Sequence, residues 1–263
     1  MTFKKTKNVL ALLSVTFLMA ACAKGGFESS STVLADDPDT EQSAGDSTQA
    51  IPPAEVETPD TGASTGTGSG SSSGGTSSGT LTDAQIIAKY AYVDTGKTIN
   101  QTMLKNALLY YHKNLSKIKN TDVLSVLDFS KYSGKQRFHI INMKTGEVWS
   151  IRVAHGKGSD PDHDGYANSF SNTSGSNASS VGIYKTAETY SGSHGYSLRL
   201  DGLSSTNSNA RSRAVVVHGA DYVSEANVTQ GRSWGCPAVS MSIRTKVIDT
   251  IKGGSIIYAS ATN

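Results

Sequence analysis

AVVVHGADYVSEANVTQGRSWGC, Ala214–Cys236, contains the pattern on which the reading of this chain turns. Its first seven residues are a short continuous apolar run that reads as a buried strand ending in His218-Gly219. Cys236 follows eighteen residues later, between Gly235 and Pro237. A histidine at the end of a buried strand projects from a rigid element into a loop region, a good position for a base. A thiol becomes a useful nucleophile when a neighbouring imidazole takes its proton or stabilises the thiolate. Glycine beside it lets backbone N–H groups approach an oxyanion closely. On residue type alone, Cys236 is equally a small buried hydrophobe or half of an intermolecular disulfide.

Outward from this stretch, the hydrophobic period divides the chain. From Thr98 to Lys119 the apolar residues Ile99, Met103, Ala107, Leu108, Tyr111, Leu115 and Ile118 recur at helical spacing, and a shorter helix is expected over Thr82–Ala91. From about Asp122 the period changes. QRFHIIN and GEVWSIRVA read as a β-hairpin whose turn ends in Gly146. Further strands are expected at Val181–Tyr184, Ser197–Leu200, Arg213–His218 and Ser255–Ala259, with a helix over Ser242–Ile251 stopped by Gly253-Gly254. The expected fold class is mainly β (α+β), with large loops and an N-terminal helical segment.

The N-terminus reads as an export signal. Lys4, Lys5 and Lys7 precede an apolar run, Val9–Ala21, too short for a stable bilayer span. The run closes in LMAAC, which resembles the bacterial lipobox and implies lipidation of Cys22. Residues 25–80 hold nine acidic residues and no Lys or Arg, and their later part is nearly pure Gly, Ser and Thr. Such a segment has too little apolar surface to fold and reads as a tether, with a reach of roughly 40–45 Å. Residues 81–263 hold twenty Lys plus Arg against thirteen Asp plus Glu. The whole-chain charge of +2 therefore conceals an acidic tether and a basic domain suited to a carboxylate-rich partner. The alternative is ordinary signal cleavage near Ala21 or Ala23, with Cys22 a bystander; if Cys22 is consumed by lipid, the exported part carries one thiol and no internal disulfide can form.

All six histidines precede Cys236, which excludes papain-like and NlpC-type peptidases, where the cysteine comes first. Sortases run His then Cys, but over a longer gap and with a TLxTC-like strand that is not seen here. HGADYVSEANVTQGRSWGC resembles the L,D-transpeptidase (YkuD-like) signature: a histidine, fourteen to seventeen residues, then Ser/Thr-His-Gly-Cys. Fourteen residues separate His218 from Ser233, and Ser233, Gly235 and Cys236 match. Trp234 stands where most of that family has a second histidine, and Ala238 where an arginine often follows. With AHGKGSDPDHDG, FSN and SLRLDGL, these departures are similar to the divergent murein L,D-transpeptidase catalytic domain branch, over roughly residues 130–260.

The resemblance implies an L,D-transpeptidase-like β-sandwich catalytic domain over 126–263, after a signal and lipobox (1–22), the linker (23–80) and a helical segment (81–125). It implies Cys236 as nucleophile and His218 as base, with the Gly219 carbonyl on the other ring nitrogen. Ser233, Gly235 and Cys236 would shape the oxyanion pocket, and Trp234 would wall it. Arg232, next to the site in sequence, is a candidate to receive a peptide carboxylate, with a solvated loop arginine as the alternative. His155 and His194, each followed by glycine, are candidates for the same cleft or for structural roles. The implied activity is thioester-mediated transfer between peptidoglycan stem peptides. The alternatives are L,D-carboxypeptidase hydrolysis and a non-catalytic wall-binding lipoprotein. No cofactor, metal or nucleic-acid partner is expected. Asp160, Asp162, Asp164 and Gly165 match the opening of a calcium loop, but the twelfth position is Ser171 and not glutamate, which favours an Asp-rich turn. The expected location is the cell envelope, lipid-anchored on the outer membrane and facing the periplasm.

Overall fold

The computed structural model describes residues 81–261, so the Cys22 lipobox and the 23–80 linker lie outside the described residues. Helix α1 (Asp83–Lys89) starts at a capping box in which Thr82 and Gln85 satisfy each other's backbone N–H groups. Helix α2 (Gln101–Lys113) is capped by the Asn100 side chain, which accepts from the N–H groups of Thr102 and Met103. It ends earlier than the apolar spacing predicts. Asn114 turns its amide back onto the Tyr110 carbonyl at 2.9 Å, and the chain continues as a single 3₁₀ turn over Leu115–Lys117.

Eight strands follow: β1 (Val123–Asp128), β2 (Phe138–Asn142), β3 (Val148–Ile151), β4 (Gly182–Gly192), β5 (Gly195–Gly202), β6 (Val216–Ala220), β7 (Ala238–Ser240) and β8 (Ile256–Ser260). Helix α3 (Arg244–Ile251) lies between β7 and β8 in sequence. The strands form one continuous order, β3-β2-β1-β8-β4-β5-β6-β7. The pairs β1–β8 and β6–β7 are parallel; the other pairs are antiparallel. The mainly β, α+β reading holds, and the sandwich expectation is realised as a single sheet folded over a shared core.

Alternate residues of β1 face two clusters. Leu124 and Val126 join Ile141, Ile183 and Ile256 against Met103, Ala107, Leu108 and Tyr111 of α2. Val123 and Leu127 join residues of every other strand, together with Val247, Ile248 and Ile251 of α3. Because β1 is buried on both faces, VLSVLD shows no alternation, and the sequence reading missed it. β7 escaped because it is three residues long. β4 runs past the expected Tyr184 to Gly192, where its polar end pairs with β5 through a tight turn at Ser193-His194. β6 begins at Val216 and not Arg213, because Ala214 takes a left-handed φ of 53° and closes a turn onto Arg211.

The two ends of the strand order meet. Just past β3, the Ala154 N–H donates to the Ala238 carbonyl of β7 at 2.8 Å, and Gly156 forms a parallel bridge with Ser233. Among the described residues, no helix is long and apolar enough to cross a membrane.

Since α1 and α2 share a core with β1, β2, β4 and β8, Leu108→Ala is expected to lower global stability by about 2–5 kcal/mol. Urea unfolding followed by circular dichroism and by Trp149/Trp234 fluorescence should remain one coincident transition. Separate transitions would show that the helical segment folds apart from the sheet.

Candidate active site

Strand β6 delivers His218 and β7 follows Cys236. Their parallel register pairs His218 with Ala238, so Cys236 enters β7 one pleat repeat before the residue opposite His218. His218 is buried, and its Nδ1 lies 3.0 Å from the Gly219 carbonyl oxygen. A carbonyl only accepts, so Nδ1 carries the proton and Nε2 is the basic nitrogen. A Cβ on Gly219 would meet Arg244 Cδ at 2.6 Å and Met241 Sδ at 2.7 Å, so these two flexible side chains would have to shift to admit one. The half-buried Cys236 donates its S–H to the Ala214 carbonyl at 3.7 Å.

The turn before Cys236 is held by Ser233. Its Oγ accepts from the Gly235 N–H at 3.1 Å and donates to the Cys236 carbonyl at 2.7 Å. Its backbone closes the sheet: the Ser233 N–H donates to the His155 carbonyl, and the Lys157 N–H donates to the Ser233 carbonyl. Gly235 has a φ of +121°, and a Cβ on it would lie 2.8 Å from the Ala178 carbonyl oxygen. Buried Ser179 spans the junction, accepting from the Gly156 N–H and donating to the Gly235 carbonyl. Trp234 presents its ring to Lys157, whose Nζ sits 4.9 Å from the ring centroid, a cation–π contact.

Beneath this turn lies a buried polar chain. Arg137, fully buried, donates through Nε and Nη2 to the Val153 carbonyl, through Nη1 to the Lys131 carbonyl and through Nη2 to His155 Nδ1 at 2.7 Å. Guanidinium only donates, so Nδ1 accepts, and the Nε2–H of His155 donates to Asp160 Oδ2 at 3.0 Å. Burial, then the nearby charges of Arg137, Arg232 and His163, push His155 down to about 2, so its contact with Asp160 joins a neutral ring to a carboxylate. Burial also pushes Arg137 down to about 9, against the pull of Asp128 and Asp160, and it stays charged at neutral pH. Asp160 accepts from the N–H groups of Asp164 and Gly165 as well, which makes DPDHDG a self-bonded Asp turn. Asp160, Asp162 and Asp164 stand close enough to share a cation, but two of the three are exposed and Asp160 already accepts three hydrogen bonds.

The sequence profile of the L,D-transpeptidase catalytic domain family matches residues 95–260. The chain belongs to this family. Among solved structures, an L,D-transpeptidase from Mycobacterium smegmatis is 16% identical, with 53% of this chain and 59% of that one covered and a TM-score of 0.33. L,D-transpeptidase 1 of Mycobacterium tuberculosis is 16% identical over 53% and 62%, at 0.31. Bd1075 of Bdellovibrio bacteriovorus is 12% identical over 56% and 49%, at 0.34. The chain thus spans about three fifths or less of these proteins' own length, and the assignment rests on the family profile. No curated protein sequence matches the chain.

In this L,D-transpeptidase domain, the residues singled out from the sequence fall into two groups. His218 and Gly219 lie on β6 paired with β7, and Ser233, Trp234, Gly235 and Cys236 form the turn that leads into β7. Arg232 turns away to the DPDHDG loop, where its Nη1 donates to the carbonyls of Asp160 and Pro161. His155 takes a structural place inside the buried chain. His194 reaches the site from the β4–β5 turn, its ring 4.2 Å centroid to centroid from that of His218 and tilted by 32°. Sequence reasoning missed Ser179, Arg137 and Arg213, because nothing local in a serine or arginine reveals a partner far along the chain.

His155, and His139 with a value pushed down to about 4 by burial and Lys131, both lie below the ordinary 6.5. The unfolded chain therefore binds more protons than the folded one below pH 6.5. Stability is fully present above that pH and should be lost as pH falls toward 4 and beyond, by up to about 1.4 kcal/mol per pH unit for each histidine. Urea midpoints at pH 7.5, 5.5 and 4.5 check this, and His139→Gln should flatten the decline; an unchanged slope would remove His139 as a cause.

Proposed function

We propose that this domain is a cysteine-dependent peptidoglycan L,D-transpeptidase acting on stem peptides through a thioester. The observation that carries the reading is the tautomer of His218: its Nδ1–H is held by the Gly219 carbonyl, which leaves Nε2 as a base beside the strand that Cys236 enters. In the proposed cycle His218 Nε2 takes the thiol proton, and the thiolate attacks the carbonyl carbon of an L,D-peptide bond. The tetrahedral oxyanion collapses, the C–N bond breaks, and the terminal D-residue leaves as an amine with the proton from the imidazolium. An amine of a second stem peptide then attacks the thioester, its proton passing through His218 to the departing sulfur, and a new amide forms.

The Ser233 staple supports this reading by holding the Trp234-Gly235-Cys236 turn in one shape around the developing oxyanion. Trp234 replaces a second histidine with an indole wall that carries a cation. In this reading Arg232 shapes the substrate side of the site by anchoring the DPDHDG loop, and Trp234 contacts the peptide. Water attacking the same thioester would give carboxypeptidase products. Lipidation at Cys22 and a tether over 23–80 would hold the domain in the envelope, facing the periplasm, within reach of the wall.

Incubation with defined muropeptides, followed by product mass analysis, tests the function. Wild type should form cross-linked product and a carbapenem acyl adduct on Cys236. Cys236→Ala should lose both while keeping its circular dichroism spectrum and melting point, and His218→Gln should slow turnover by about 10²–10⁴-fold. Undiminished product from Cys236→Ala would overturn the mechanism. Wall binding with no adduct in wild type would instead favour a non-catalytic binding module.

A further inference from the structure

Arg213, in the turn before β6, is a charged group against the nucleophile turn that the reading above does not use. Its Nη1 donates to the Ser171 carbonyl at 2.7 Å and lies 3.5 Å from Ser180 Oγ. Its Nη2 donates to the Ala178 carbonyl at 2.6 Å and to Ser176 Oγ at 3.4 Å. Every partner is a neutral oxygen, and among the described residues no carboxylate reaches it. A half-buried cation solvated by fixed dipoles alone is costly unless an anion forms beside it.

The anion that can form there is a thiolate. Arg213 Nη2 lies 3.1 Å from the point a Cβ on Gly235 would occupy, and the next residue is Cys236. From the other side, the thiol donates to the carbonyl of Ala214, the residue after Arg213. The two groups also sense each other electrostatically. Burial pushes the guanidinium down from its ordinary value, while Tyr184 and Cys236 draw it back up. We propose that Arg213 is a positioning residue for the nucleophile: its uncompensated guanidinium, fixed against Gly235, favours the thiolate–imidazolium form of Cys236 and His218. The proton leaves Sγ for His218 Nε2, and the guanidinium offsets the negative charge left on sulfur. No other atom changes hands.

The other charged or titratable groups around the site have different roles. Arg244, packed against Gly219, donates to the His194 carbonyl. Tyr184 on β4, bonded to Ser180 and pushed up to about 12 mainly by burial, stays neutral. His194 meets the site through the ring of His218. Lys157 is a second cation, but it is held on the Trp234 face by a flexible stem and not by fixed hydrogen bonds.

The proposal rests on Cys236 being the nucleophile, yet its test reads only the thiol. Iodoacetamide alkylation rates against pH would be measured for wild type, Arg213→Lys and Arg213→Gln, each checked for folding by circular dichroism. Arg213→Gln should alkylate about tenfold more slowly at pH 6.5, with the profile midpoint about one pH unit higher and the alkaline plateau unchanged. Arg213→Lys should stay near wild type. An unmoved midpoint in folded Arg213→Gln, or equal movement in both variants, would overturn the role of charge. Should the Arg213 variants not fold, His218→Gln decides. With the imidazole gone, a thiol still titrating below the ordinary value of about 8.5 supports the guanidinium, and one at or above it overturns the proposal. Because alkylation needs no muropeptide, its failure is distinguishable from failure of the transpeptidase reading.

Discussion

The backbone of Ser233, hydrogen-bonded to His155 and Lys157 at once, is the constraint on which the site depends. These two bonds and the Ala154–Ala238 bond join the exit of β3 to the entry of β7, closing the ends of the strand order onto each other. A closed sheet has no open edge at this point, and the turn it encloses cannot slide in register. The Ser233 side chain then fixes the turn internally; a Cβ on Gly156 would meet the Asn177 carbonyl oxygen and the Gly235 backbone, and one on Gly235 would meet the Ala178 carbonyl oxygen. Cys236 thus sits on a rigid corner, although the segment leading to it has little regular structure.

Such a corner is stabilised from below by polar groups that would otherwise be liabilities. Arg137 brings a full positive charge into the interior, where an unpaired ion is costly. Its donors are matched by carbonyls and by the acceptor nitrogen of a neutral His155, which passes the polarity on to Asp160. Asp160 organises the DPDHDG loop, and Arg232 returns from the segment before Cys236 to that loop's carbonyls. The stretch that matches the opening of a calcium loop thus lies under the candidate active-site corner, with Asp160 bonded to His155 and to its own loop. Arg213, like Arg137, is hydrogen-bonded only to neutral atoms, but Arg137 also feels the carboxylates of Asp128 and Asp160, whereas the groups that draw Arg213 up are Tyr184 and Cys236.

Legibility in the sequence followed the locality of each signal. The α2 face, the β2–β3 hairpin and α3 were visible because one side of each is buried and the period shows. β1 was invisible because it is covered on both sides, by α2 on one and the main core on the other. The His218–Cys236 pair was legible because its two members are separated by a short loop between adjacent parallel strands. His194 was only a weak candidate: nothing in Ser193-His194-Gly195 reveals that the long β4–β5 hairpin carries its ring onto His218.

By itself, the sequence determined the fold class, the helical lead-in, the family resemblance and the identity of the candidate nucleophile and base. Those signals reside in periodicity and in short spacings along one stretch of chain. Only the tertiary structure decided which nitrogen of His218 is basic, that Trp234 carries Lys157, that His155 is structural, and that Arg213 lies against the Gly235-Cys236 turn. Each of these depends on the sheet closing between His155 and Ser233. Hydrogen-bond direction and local charge depend on which distant groups meet there, and a linear pattern does not encode that meeting.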